Sequence, residues 1–151
     1  MTSLVIWHWN CNGIRSEITE FKHLLSGKYR PNIICLQETH LKSNSKITLE
    51  TTGYKIIRKD RLNEPKGGLL IMINQNIPYI EITNPSTIEH QIIRININTE
   101  IYHIINIYDR DTHIDQELLH LLLNYPNSII VGDFNAHHKL WGHLKSNKKG
   151  K

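Results

Sequence analysis

The chain has 151 residues and a formal charge of +4, from 18 Lys plus Arg against 14 Asp plus Glu, with a pI near 9.1. That length suits one domain with one hydrophobic core, read here as residues 1–151, and the positive balance suits a polyanionic partner through non-specific attraction. Two cysteines build no disulfide framework, no apolar run approaches about 18 residues, and the start lacks a basic n-region, so we expect an intracellular protein, nuclear or cytoplasmic, neither secreted nor membrane-bound.

In chain order, the first β-branched run, residues 3–10, predicts a strand that ends in "WNCNG". Residues 16–25 then carry a helical period, with Ser16 as candidate N-cap and Ile18, Phe21, Leu24 and Leu25 on one face. Strands follow at 32–37, 54–59, 68–74 and 79–83, the third entered through Gly67-Gly68. A hairpin at 90–98 and 101–108 is expected to turn at Thr99-Glu100. A second helix is predicted over 114–124, before Pro126, and a last strand over 128–133. "RININ" and "YIEIT" alternate as half-buried antiparallel strands do, whereas "LLIMI" and "SIIV" read as buried on both faces. Strand–helix–strand occurs twice, at 3–37 and 101–132, with helix-free strands between, which gives an α+β layout: one mixed sheet, or two sheets flanked by helices.

Four predicted strands end in polar groups: Asn10 and Asn12; Gln37, Glu38 and His40; Tyr108 and Asp109; Asp133, Asn135 and His137. Singly, each has an ordinary role in a turn or cap, but four strand ends of one chemical class point to a shared site. Its inventory is that of hard-cation chemistry, since Mg²⁺ takes oxygen ligands, keeps several waters and needs only one or two carboxylates, of which Glu38 is the best candidate. Asp133 and Asn135, two apart, can orient a water and a phosphate oxygen, while Tyr108 and Asn10 supply donors to the charge that develops on a pentavalent phosphate. The reaction class suggested is metal-assisted phosphodiester hydrolysis. His137, His138 and His143 with Asp133 form an alternative transition-metal cluster, whose spacing matches no standard zinc pattern. The lysines at 145, 148, 149 and 151 read as a solvated terminus.

"WNCNGI", "LQETHLK", "RKDR" with "GGLLIMI", "NIY" and "VGDFNAHHKLWG" followed by "SNKKGK" resemble, in order and spacing, the endonuclease domain of jockey-like non-LTR retrotransposons. That domain lies in the endonuclease/exonuclease/phosphatase superfamily, with the DNase I-like nucleases and apurinic endonucleases. The resemblance implies a four-layer α/β/β/α sandwich of the DNase I-like type, incomplete at the C-terminus, because relatives continue with further strands and a Ser-Asp-His motif. It implies Mg²⁺ or Mn²⁺ held by Glu38 with Asn12, phosphate contact by Tyr108 and Asn10, a water positioned by Asp133, and transition-state stabilisation by Asn135. His137 and Arg110 are further candidate contacts to phosphate or DNA. The implied partners are DNA, a reverse-transcriptase portion of an ancestral polyprotein, and association through the incomplete sheet. The acidic residues of "YDRD" depart from the family pattern and place Asp109 and Asp111 beside a site for a polyanion. The activity implied is target-DNA nicking; a catalytically dead nucleic-acid-binding remnant and a phosphatase of the same superfamily stay open as alternatives.

Overall fold

Two parallel strand pairs, each joined by a helical crossover, organise the protein, whose computed structural model describes residues 3–45, 53–62, 64, 66–110 and 116–151. In the first, β1 (Ile6–Asn10) leads through α1 (Ile14–Ser26) to β2 (Ile33–Gln37), and the register sets Asn10 opposite Gln37. In the second, β7 (Glu100–Tyr108) leads through α2 (Gln116–Leu123) to β8 (Ser128–Asp133), setting Tyr108 opposite Asp133. Between them run β3 (Tyr54–Lys59), β4 (Leu69–Asn74), β5 (Tyr79–Ile82) and β6 (Glu89–Ile97), all paired antiparallel. The strands form two four-stranded sheets, ordered β1-β2-β4-β3 and β5-β6-β7-β8.

Side-chain alternation divides the core into three apolar layers. On the outer face of the first sheet Ile34, Leu36, Leu70 and Met72 pack on Ile14, Phe21 and Leu25 of α1. Between the sheets Ile33, Cys35, Ile71 and Ile73 meet Ile93, Ile95 and Ile104. Beyond the second sheet Ile92, Ile105 and Ile107 pack on Leu118 and Leu121 of α2. Each fully buried isoleucine contributes roughly 1.5–3 kcal/mol relative to exposure, and the result is the α/β/β/α order of an α+β sandwich: two flanked sheets rather than one mixed sheet.

Local readings change in four places. Gly13, not Ser16, caps α1; its N–H is taken by the Glu38 carbonyl at 2.7 Å, so a tertiary contact starts the helix one turn earlier, and Ser16 Oγ donates back to the Gly13 carbonyl. Leu24 is exposed rather than part of the buried face. The β6–β7 turn falls on Asn98 and Thr99, with Asn98 in the left-handed region at φ 56°. "SIIV" is only half-buried, since β8 ends the strand order of its sheet. Of the second predicted helix, residues 114 and 115 lie outside the described residues, as does Asp111. No described helix is long and apolar enough to cross a membrane.

Candidate active site

Parallel strands joined by crossovers carry their C-terminal ends to the same edge, where ligands bind in layered folds. Here that edge collects Asn10 from β1, Glu38 just past β2, Tyr108 from β7 and Asp133 from β8. The Asn10 side-chain amide donates to Glu38 Oε1 at 2.7 Å and to Asp133 Oδ2 at 2.8 Å, so one NH₂ group bridges carboxylates belonging to different sheets. Its oxygen accepts the Asn12 N–H at 3.2 Å. Burial first, then the interaction of its hydroxyl with the Glu38 carboxylate and the charges of Glu38 and Asp133, push the Tyr108 pKa well up, while Arg61 pulls it down, so the phenol stays a donor. His40 Nε2 approaches Glu38 Oε2 at 3.4 Å.

The backbone around this cluster is held in uncommon conformations. Glu38 sits at φ 52°, Asn12 at 42°, His40 at 53° and Asn135 at 47°. For Glu and His these cost free energy that the surroundings must offset. At Glu38 the offset is visible: its carbonyl holds the start of α1, and the Thr39 and His40 N–H groups donate to Gly68 and Gly67 carbonyls at 3.1 and 2.8 Å. Gly132 is required by close approach, since a Cβ there would fall 1.9 Å from the Ile107 carbonyl oxygen.

Asn135 is aimed by both ends: its N–H donates to Asp133 Oδ1 at 2.8 Å, its Nδ2 to the Asp109 carbonyl at 3.0 Å. Asn147, which no local sequence signal singles out, donates from Nδ2 to the Asn135 carbonyl at 2.6 Å and accepts the His137 N–H at 3.0 Å. Asp109 does not present a bare charge to the site, because it is buried in an ion pair with Lys149. Lys149 is accordingly a core cation and not part of a solvated tail.

Below the site, a buried amide cluster joins the sheets. Gln37 Nε2 donates to Asn106 Oδ1 at 2.6 Å; Asn106 Nδ2 reaches the Leu36 carbonyl at 3.1 Å and Gln91 Oε1 at 3.4 Å; Gln91 Nε2 donates to the Ile57 carbonyl at 3.1 Å. The polar interruption of "IINIY" is the sequence signal that marks Asn106.

The remaining candidates lie outside the carboxylate bridge. Asn12 is exposed, contributing its backbone N–H to Asn10. Arg110 lies 5.9 Å from the Tyr108 ring centroid and pairs with Glu64 at 2.6 Å. Arg61 flanks the same ring at 5.7 Å and is tied to Glu89. His137 is exposed and stacks on His143, the ring centroids 4.4 Å apart. Among the described residues no three His, Cys, Asp or Glu side chains are arranged to hold a metal ion. What the centre offers is two carboxylates and an amide oxygen, a donor set without sulfur that fits a hard divalent cation retaining waters better than zinc.

The chain is 26% identical over 160 residues, 99% of its own length, to the "Probable RNA-directed DNA polymerase from transposon X-element" of Drosophila melanogaster, and 24% identical over 155 residues to the "RNA-directed DNA polymerase from mobile element jockey" of the same organism. It spans 17% of the length of each of these relatives. In fold it is similar to the endonuclease domain of TRAS1, a telomere-specific non-LTR retrotransposon, with a TM-score of 0.72 at 12% identity, covering 97% of this chain and 67% of that one. Residues 7–151, nearly everything from β1 onward, match one sequence family, and this chain therefore belongs to the Endonuclease/Exonuclease/phosphatase family.

Proposed function

We propose that the chain carries the active centre of a divalent-metal-dependent DNA endonuclease, one that nicks a phosphodiester in target DNA. The observation that carries this reading is the Asn10 amide bridging Glu38 and Asp133 across the two sheets. Family membership and the fold shared with a retrotransposon endonuclease domain support it. The net positive charge favours a polyanion.

In this reading Glu38, with Asn12, would hold Mg²⁺ or Mn²⁺. When bound, that cation neutralises charge developing on the phosphate and its leaving oxygen. Asp133 orients the attacking water and accepts its proton, and the bond from the Asn135 N–H keeps the other carboxylate oxygen fixed while it does so. The remaining N–H of the Asn135 amide and the Tyr108 hydroxyl donate to phosphate oxygens, where preorganised donors stabilise the transition state most, and Asn10 acts by holding the two carboxylates in place. His137 contacts the bound DNA and Arg110 a flanking phosphate, and the ring of Tyr108 keeps Arg110 beside the centre.

The reading is tested by incubating the protein with supercoiled plasmid and Mg²⁺ or Mn²⁺, and in parallel with p-nitrophenyl phosphate. Conversion to nicked circles that EDTA abolishes, with no p-nitrophenol released, is the expected result. Release of p-nitrophenol without nicking would replace the endonuclease with a phosphatase.

A further inference from the structure

The segment after β8 has properties that phosphate chemistry leaves unused. From Phe134 to Lys151 there is no acidic residue, and the segment carries five lysines and three histidines. Its centre is a single 3-10 turn, Lys139–Trp141, pinned from both sides. Leu140 N–H donates to His138 Nδ1 at 3.1 Å, Trp141 N–H to the His138 carbonyl at 3.0 Å, Lys139 N–H to Ser146 Oγ at 3.1 Å, and Asn147 N–H to the His137 carbonyl at 2.9 Å. The turn has its backbone bonded locally, yet it and the residues just after it present large apolar groups outward: Trp141 is 62% exposed, Leu140 87% and Leu144 95%.

Trp141, His137 and His143 line a cavity of about 530 Å³ together with Asp133 and Asn135. The His137 and His143 rings lie parallel within 11°, and His138 is tilted 52° against the indole at 5.4 Å. Flat π-faces at the rim of a cavity that also contains Asp133 match the shape and chemistry of a nucleobase, and the lysines match the backbone that would carry it. A second copy of the chain fits poorly. Stable interfaces remove about 800 Å² from each partner, more than one Trp and two Leu supply, and self-contact would bring two lysine-rich segments together.

We propose that this turn is a nucleobase platform: Trp141 stacks on an unpaired base of a DNA strand, His137 and His143 extend the stack towards Asp133, and Lys139 and Lys145 neutralise the adjoining phosphates. This rests on the nuclease reading and adds to it a contact outside the reacting groups. Because the platform is preformed, binding orders few additional side chains.

The test is equilibrium binding of the whole chain, in EDTA so that no hydrolysis intervenes, to a short single-stranded DNA containing 2-aminopurine. Wild type quenches the 2-aminopurine fluorescence; Trp141→Ala binds about ten-fold more weakly and quenches little; Trp141→Phe keeps most of both. Lys139→Ala with Lys145→Ala makes the salt dependence shallower. Circular dichroism and melting should match wild type throughout, since Trp141 contributes no buried core contact. Equal affinity for wild type and Trp141→Ala overturns the platform, as does no binding by wild type, or a wild-type dimer in sedimentation that Trp141→Ala dissociates. If plasmid nicking fails while Trp141-dependent binding persists, the endonuclease reading falls and the platform stands as a DNA contact. If nicking succeeds while binding ignores Trp141, only the platform falls.

Discussion

Asn10 Nδ2 and Asp133 Oδ2 are 2.8 Å apart although 123 residues separate them in the chain, and this bond closes the edge of one sheet on the edge of the other. Its neutral donor is what lets two carboxylates share a small volume. Asn10→Asp removes the donor and adds a third negative charge; at an effective dielectric near 20, like charges about 4 Å apart repel by a few kcal/mol. We expect Asn10→Asp to lose on the order of 2 kcal/mol in EDTA and to recover much of it in millimolar Mg²⁺, whereas Asn10→Ala is destabilised without such recovery. Thermal melts with and without Mg²⁺ decide this, and equal Mg²⁺ responses in the two variants would contradict it.

The ion pair of Asp109 with Lys149 fixes the carbonyl that holds Asn135. Both side chains are buried, so removing one partner strands a charge, at a cost of roughly 3–5 kcal/mol. Lys149→Met should lower the unfolding free energy obtained from urea denaturation by that amount, and Asp109→Asn with Lys149→Met should recover part of it. A double variant less stable than Lys149→Met alone would rule out charge stranding.

Much of this arrangement was legible in the sequence, for reasons that differ by element. The eight strands are legible because their apolar runs and alternations are strong local signals, and the meeting of Asn10, Glu38 and Asp133 at one edge is legible because each closes such a run. The N-terminus of α1 is not legible at Gly13 because that cap depends on the Glu38 carbonyl, a partner 25 residues on that no local propensity reveals. Lys149 looks solvated in the sequence because a lysine in a basic segment looks alike whether or not a buried aspartate awaits it. Asn147 is not legible for the same kind of reason, since its three hydrogen bonds to the Asn135–His137 stretch exist only after the chain turns back at Gly142.

Asn106 is wholly buried and takes part in bonds to Gln37, Leu36 and Gln91. Its truncation leaves several buried polar groups unpaired, each costing about 1–3 kcal/mol. Asn106→Ala should therefore be among the most destabilising single substitutions, more so than Ile104→Val, which loses about 0.5–1.5 kcal/mol. Chemical denaturation of the two variants side by side gives the ordering, and the reverse order would show that water enters and satisfies the cluster.

Burial holds the pKa of His90 below its ordinary value, outweighing the bond to the Ile88 carbonyl, with Lys59 lowering it further. Sign follows from proton uptake: below about pH 6.5 the unfolded chain binds a proton that folded His90 resists, so stability falls as pH drops through that value and is fully present above it. His90→Gln should flatten the acid limb of a stability profile between pH 7.5 and 5. An unchanged limb would assign it to the other histidines.

The central claim, that Glu38 and Asp133 bridged by Asn10 form the reacting centre, is tested most directly by plasmid nicking with three proteins purified alike: wild type, Glu38→Gln and Asp133→Ala. With Mg²⁺ present, nicking by wild type alone, from variants whose circular dichroism matches it, is the predicted result. Full nicking by either folded variant would place the chemistry elsewhere in the chain.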